Sequence, residues 1–233
     1  MSASPESQST YRYERKFVVP TGSVGTVALS IRTHPALFRE KYPPRSVNNL
    51  YLDRWDLPSY RDNLAGVRDR RKVRIRWYGE LFGDIPRPTL EIKIKKGLLG
   101  EKVACPLRPF RLDSAFNRRT LMRVLSESVL PDVLRVELMA LDAVLLNRYE
   151  RRYFQSVDQG FRITVDDRMK YYRVDRGHNH FICRSEDRSG MIVELKYGPE
   201  HDLGAAEISE WLSVRLARNS KFVCGIEKVY GLA

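Results

Sequence analysis

The chain has 233 residues, enough to bury one substantial core as a single domain or two small ones. Lys and Arg number 41 against 29 Asp and Glu, a formal charge of +12, and 42% of residues are hydrophobic. This balance excludes a disordered chain and selects anionic partners: nucleic acid, an anionic membrane surface, nucleotides or polyphosphate. No apolar run approaches the ~20 residues that cross a bilayer, and MSASPESQST lacks the basic start and apolar centre of a secretory signal. Cys105, Cys183 and Cys224 are far apart and form no CxxC pair, which argues against zinc and disulfides and for reduced thiols in a cytosol.

Residues 1–10 read as disordered, and residues 11–19 as a first strand ended by Pro20. A weakly patterned helix is expected over 23–40, broken at Pro35. SVNNLYLD (46–53) reads as a strand and PSYRDNLAG (58–66) as a turn-rich connection. RRKVRIRWYGE (70–80) and TLEIKIKKG (89–97) alternate strongly, with Pro86 and Pro88 in the loop between them, and a short strand follows at 101–105. Phe116, Leu121, Val124 and Leu125 share a helical face over 114–127, and 134–141 extends the helical region past Pro131. Strands resume at 144–155, 161–167, 170–174 and 191–198, with HNH (178–180) in a loop. A last helix over 205–217 precedes SKFVCGIEKVYG (220–231). The expected fold is α+β, a closed antiparallel barrel of eight strands with helices outside it, in a single domain over 11–233.

Side chains i and i+2 of a strand share a face, and strand after strand puts its charges on one side. Glu14 and Lys16 share a face; so do Arg74 and Arg76, and Glu91, Lys93 and Lys95. Arg151 pairs with Tyr153; Arg162, Thr164 and Asp166 line up, as do Glu194 and Lys196. Each strand alone fits an ordinary half-solvated sheet. As a set they also fit a barrel whose charged face points inward, with about seven cations converging on a lumen that only a polyanion could neutralise.

The same stretches, in order, resemble the triphosphate tunnel metalloenzymes, and within them the polyphosphate polymerase domain of the vacuolar transporter chaperone (VTC) complex. YRYERKF resembles the opening ExExK strand with Arg12 in place of its first Glu. NLYLD, KVRIRWYG and LEIKIKKG are similar to the next three motif strands. NRYERRYFQ with FRITVDD, then VELKYG and SKFVCG, resemble the rest, so the likeness runs from residue 11 to about 231. The resemblance implies that Lys16, Arg74, Arg76, Lys93, Arg151, Arg162 and Lys221 hold triphosphate and the growing chain, with Lys95 and Lys196 as further substrate contacts. It implies that Glu194 holds Mn²⁺ or Mg²⁺, helped by Glu14 and Glu91 either directly or by orienting basic neighbours. A bulge near Arg151 would exchange it with Arg152.

The activity so implied is ATP-dependent polyphosphate polymerisation. The alternatives are a triphosphatase of the same fold and a non-catalytic polyphosphate- or nucleic-acid-binding module. Sequence-specific DNA binding is least favoured, because the cations are spread over many strands rather than gathered on one helix. No P-loop, Rossmann glycine pattern or nucleophile triad is present. The expected location, from the dispersed thiols, is cytoplasmic, the inner face of the membrane included. Any regulatory or membrane partner is expected on a separate chain, since no SPX-like segment is seen.

Overall fold

In the computed structural model, residues 13–96, 99–187, 190–212, 214–217 and 219–232 are described. Residues 1–10 and Arg12 lie outside them, as does the side chain of Cys183. Among the described residues, eleven strands and six α-helices follow in chain order. β1 (Tyr13–Pro20), α1 (Val24–Thr33), β2 (Arg39–Asp53), α2 (Pro58–Leu64), β3 (Asp69–Tyr78), β4 (Gly83–Ile85), β5 (Thr89–Lys96), β6 (Leu99–Pro106) and β7 (Phe110–Leu112) form the first part. α3 (Arg118–Glu127), α4 (Asp132–Met139), β8 (Asp142–Gln155), β9 (Phe161–Arg173), β10 (Cys183–Asp187), β11 (Gly190–Tyr197), α5 (Asp202–Trp211) and α6 (Lys221–Tyr230) complete it.

The main sheet is antiparallel and runs β1-β11-β9-β8-β2-β3-β5-β6, with β10 added beside β9; β4 and β7 form a separate ribbon. β1 and β5 are six places apart on this path, roughly 29 Å in a flat sheet at about 4.8 Å per strand. Yet Lys93 Nζ on β5 lies 3.7 Å from Glu14 Oε2 on β1. The sheet is therefore strongly curled, which brings β1 within side-chain reach of β5. Among the described residues no backbone ladder joins β1 to β6.

The apolar parity of each strand faces outward and is covered by helices. Leu50, Leu52, Val73, Ile75, Trp77, Leu90 and Ile92 pack with Leu121, Val124 and Leu125 of α3 and Leu138 of α4. Phe17, Val19, Ile163, Val165, Val193 and Leu195 pack with Val27 and Ile31 of α1 and Ala205 and Ile208 of α5. α6 instead packs on the inner face, where Phe222 and Ile226 join Tyr51, Leu145, Tyr149 and Tyr171. Its Gly225 leaves no room for a larger residue: a Cβ there would stand 2.5 Å from Leu145 Cδ2 and 2.7 Å from Tyr171 Cδ1.

Several local expectations are corrected. The helix expected over 23–40 stops at Thr33, because His34 is extended and Pro35 follows, and β2 begins at Arg39 rather than 46. The turn-rich 58–66 contains α2, started by Pro58 and by the buried Asp53 carboxylate, which accepts from the backbone N–H groups of Ser59 and Tyr60. β9 is one strand where two were expected, and the helix expected over 205–217 ends at Trp211. β4, β7 and β10 were not expected, and 221–230 forms α6, capped by Ser220 and ended by Gly231 at φ 65°. HNH is a loop: the Asn179 amide donates to the Phe116 and Asp175 carbonyls.

Candidate phosphate-binding tunnel

The inner face carries two charged clusters. At the centre of the first is Asp166, fully buried on β9. Arg151 of β8 grips it with both ends of its guanidinium, Nε to Oδ1 at 2.5 Å and Nη2 to Oδ2 at 2.6 Å, and Lys221 donates to Oδ2 at 2.6 Å. Lys221 is the first residue of α6, so the positive end of that helix also points at the cluster. Neighbouring Glu194 of β11 lies 3.3 Å from Lys16, 3.1 Å from Lys196, 3.8 Å from Lys221 and 3.7 Å from Arg151. Glu14 completes the group, 2.9 Å from Lys16 and 3.9 Å from Lys196. Burial works to raise the Glu194 pKa, but Lys221, Lys16, Lys196 and Arg151 together hold it well below the usual range.

The second cluster surrounds Glu91 of β5. Arg74 donates to its Oε2 at 2.6 and 2.9 Å, Lys102 of β6 to its Oε1 at 2.7 Å, and Arg76 Nη1 stands 3.5 Å away. Burial again opposes ionisation, but Arg74, Arg76 and Lys102 outweigh it and hold the pKa at about 2. Arg76 also donates to Asn49 and Tyr149, which ties this cluster to the β8 side. Lys95 sits opposite Arg70 in the β3–β5 ladder, and Arg162 opposite Lys196 in the β9–β11 ladder.

Strand parity thus places Lys16, Arg74, Arg76, Lys93, Arg151 and Lys196 in one interior with Glu14, Glu91 and Glu194, and α6 adds Lys221. It does not place the three carboxylates at one point. Glu14 and Glu194 adjoin and share Lys16 and Lys196, whereas Glu91 is held by three other cations. Among the described residues no three metal-binding side chains converge. Two ionised carboxylates still fit a hard divalent ion, since Mg²⁺ and Mn²⁺ commonly take one or two protein carboxylates plus substrate phosphates. The Thr164 hydroxyl, opposite Glu194 in the ladder, is buried with no hydrogen-bond partner among the described residues. That orphaned oxygen is the sign of a further polar occupant beside Glu194.

Asp166, Lys72 and Lys102 were missed as site residues. Parity could have found the first two: Asp166 is in line with Thr164, and Lys72 is two residues before Arg74. Lys72 donates to Ser220 Oγ at 2.9 Å. Burial, then the adjacent charges of Lys16, Lys93, Arg70 and Arg74, push its pKa down to about 7.

Parity also separates neighbours. Arg152 lies on the outer face near Asp167, and Arg15 points outward to Tyr197, Ser209 and Asp202. Exposed pairs of the Arg15–Asp202 kind contribute little. Arg15→Ala and Arg152→Ala are expected to keep most activity, whereas Arg151→Ala loses nearly all of it; steady-state turnover of the three variants checks this. Equal loss in Arg151→Ala and Arg152→Ala would remove the special place given to Arg151.

Among the described residues, eight basic groups (Lys16, Arg74, Arg76, Lys93, Lys102, Arg151, Lys196, Lys221) thus pair with four carboxylates (Glu14, Glu91, Asp166, Glu194), and Lys72 stands beside them on Ser220. A curled antiparallel sheet with this interior defines an anion-binding tunnel protein of the triphosphate-tunnel fold. The chain belongs to the VTC domain family, which matches residues 11–230. Among solved structures it is similar to the PH1819 protein of Pyrococcus horikoshii OT3, at 14% identity over 95% of this chain and 99% of that one, with a TM-score of 0.51. It is also similar to a Vibrio parahaemolyticus protein described as a "putative adenylate cyclase", at 12% identity over 93% and 99% of the two chains, TM-score 0.50. At these identities the likeness shows the fold alone. No curated protein matches the chain. Family and fold together support a polyphosphate-related or triphosphate-binding function. No helix among the described residues is long and apolar enough to cross a membrane.

Proposed function

We propose that the protein is a metal-dependent polyphosphate polymerase that transfers the γ-phosphoryl of ATP to the end of a polyphosphate chain held in the tunnel. The observation that carries this reading is the excess of cations over carboxylates on one concave inner face, with Arg151, Lys221 and Arg76 nearly buried and Lys93 and Lys102 open to solvent. Such an excess is costly unless a polyanion occupies it.

Phosphoryl transfer passes through a state with charge spread over the equatorial oxygens, so catalysis is mostly positioning and charge stabilisation. Arg74, Arg76 and Arg151 bring planar forks that suit phosphate, and Lys16, Lys93, Lys196 and Lys221 bring mobile point charges. Arg162 and Lys95 extend the basic lining along the same strands. Asp166 and Glu91 fix the guanidiniums before substrate arrives, which lowers the ordering cost at the moment of reaction. Glu194 with Glu14 would hold Mn²⁺ or Mg²⁺; the ion would neutralise charge developing on the phosphoryl oxygens. Glu91 is assigned the orienting role rather than a metal-ligand role, because Arg74 and Lys102 engage both its oxygens in hydrogen bonds of 2.6, 2.7 and 2.9 Å, whereas the cations around Glu194 stand at 3.1–3.8 Å.

Water activation is poorly served here. Glu194 has Ile192 and Lys196 at i−2 and i+2, so no second carboxylate on β11 joins it to hold another ion. Incubation with ATP and Mn²⁺ is therefore expected to yield ADP and long polyphosphate, with little orthophosphate. A polyphosphate-stained gel with a parallel orthophosphate assay reads this. Stoichiometric orthophosphate or tripolyphosphate with no chain on the gel would make the protein a triphosphatase instead.

A further inference from the structure

The inner face does not end at Arg76 and Arg151. The next positions of the same parity are Tyr78 on β3 and Tyr153 on β8, whose side chains lie close enough to interact. β2 runs on beyond the end of β3 and adds Arg45 and Tyr42. Cations and rings alternate from the buried cluster to this rim. Lys221 Nζ is 4.9 Å from the Tyr149 ring centre, and the Arg151 guanidinium is 5.3 Å from Tyr149 and 5.8 Å from Tyr153. The Arg45 guanidinium is 5.7 Å from Tyr153, 6.0 Å from Tyr78 and 4.4 Å from Tyr42.

The outer rings are not needed for the core. Trp77, of opposite parity to Tyr78, is buried in the outer layer, whereas Tyr78 and Tyr42 remain 52% and 42% exposed. This part of β2 is also built to stay open on its far side. Pro43 and Pro44 have no N–H to donate, and the register with β8 shifts just before Tyr42 and again across the two prolines, which discourages a further strand. The result is a standing rim of three tyrosines around one guanidinium, at the mouth of an anion-binding interior.

We infer that this rim is the seat of the donor's nucleobase, so that a nucleoside triphosphate enters phosphates first and its base stacks on Tyr78 and Tyr42. The inference rests on the reading of the interior as a triphosphate site. A nucleoside triphosphate has an anionic end and a flat aromatic end. The interior takes the first, and ring faces flanked by a guanidinium take the second. Stacking of this kind reads no base edge, so the seat tolerates different bases.

The test is binding of ATP and of tripolyphosphate, which has no base, to the full chain carrying Tyr78→Ala, Tyr42→Ala, both, or Tyr78→Phe. Ring removal is expected to weaken ATP about tenfold and leave tripolyphosphate within about twofold, with Tyr78→Phe close to the parent, as loss of one stacking partner would give. Unchanged tripolyphosphate binding also shows that the variants are folded. If ATP and tripolyphosphate weaken together, or ATP does not weaken at all, the nucleobase seat is wrong while the tunnel reading stands. If the parent itself binds no tripolyphosphate, the tunnel reading falls and takes this inference with it.

Discussion

Glu194→Gln is expected to lower turnover by on the order of 10³ while ATP still binds. Glu194 is the carboxylate that four cations surround, and with Glu14 it is the pair best placed for a divalent ion. The amide keeps the shape and loses the charge. Metal-dependent stabilisation of the transferring phosphoryl then goes, but Lys16, Lys196, Lys221 and Arg151 remain to hold phosphate. Losing one negative charge also raises the positive potential of the interior, so metal-free tripolyphosphate should bind the variant at least as tightly as the parent. Calorimetric titration beside a turnover assay separates the two effects. Turnover equal to the parent's would take Glu194 out of the site.

Asp166→Asn is expected to be the most destabilising single change in the tunnel. The carboxylate is fully buried and meets the Arg151 fork, itself buried, and the Lys221 ammonium, whose side chain is only 9% exposed. Removing one partner of such a group leaves uncompensated charge and costs about 3–5 kcal/mol. At about 2–4 °C per kcal/mol for a chain of this size, the melting temperature should fall by roughly 10 °C. Burial opposes ionisation of Asp166, but Lys221 and Arg151 outweigh it and lower its pKa from the ordinary carboxylate value. The folded pKa lies below the unfolded one, so the stabilisation is fully present above about pH 5 and is lost as pH falls through about 4 and below. The gap between parent and variant should therefore narrow in acid. Added tripolyphosphate should restore part of the loss at neutral pH by giving Lys221 and Arg151 another anion. A melting temperature within about 2 °C of the parent's would show that the triad contributes little to stability.

Strand parity was legible in the sequence because the side-chain period of two is a property of each strand by itself. KVRIRWY separates Arg74 and Arg76 from Val73, Ile75 and Trp77 wherever the strand lies, and the curled sheet keeps that separation. The α3 face of Leu121, Val124 and Leu125 was legible for the same reason. Parity could not say whether the charged side faced solvent or a lumen. That was decided by curling, which brings Glu14 of β1 against Lys93 of β5. Nor could it rank the carboxylates. Glu14, Glu91 and Glu194 look alike along the chain, but the tertiary structure surrounds Glu91 with Arg74, Arg76 and Lys102 and sets Glu14 beside Glu194. Asp166 and Lys72 had the right parity and went unassigned, because their importance lies in partners far along the chain, Lys221 for one and Ser220 for the other. α6 shows the limit most clearly. Residues 221–230 make a helix through local capping, but the packing of Phe222 and Ile226 and the close approach of Gly225 to Leu145 and Tyr171 put it inside the sheet, where its first residue meets the buried aspartate.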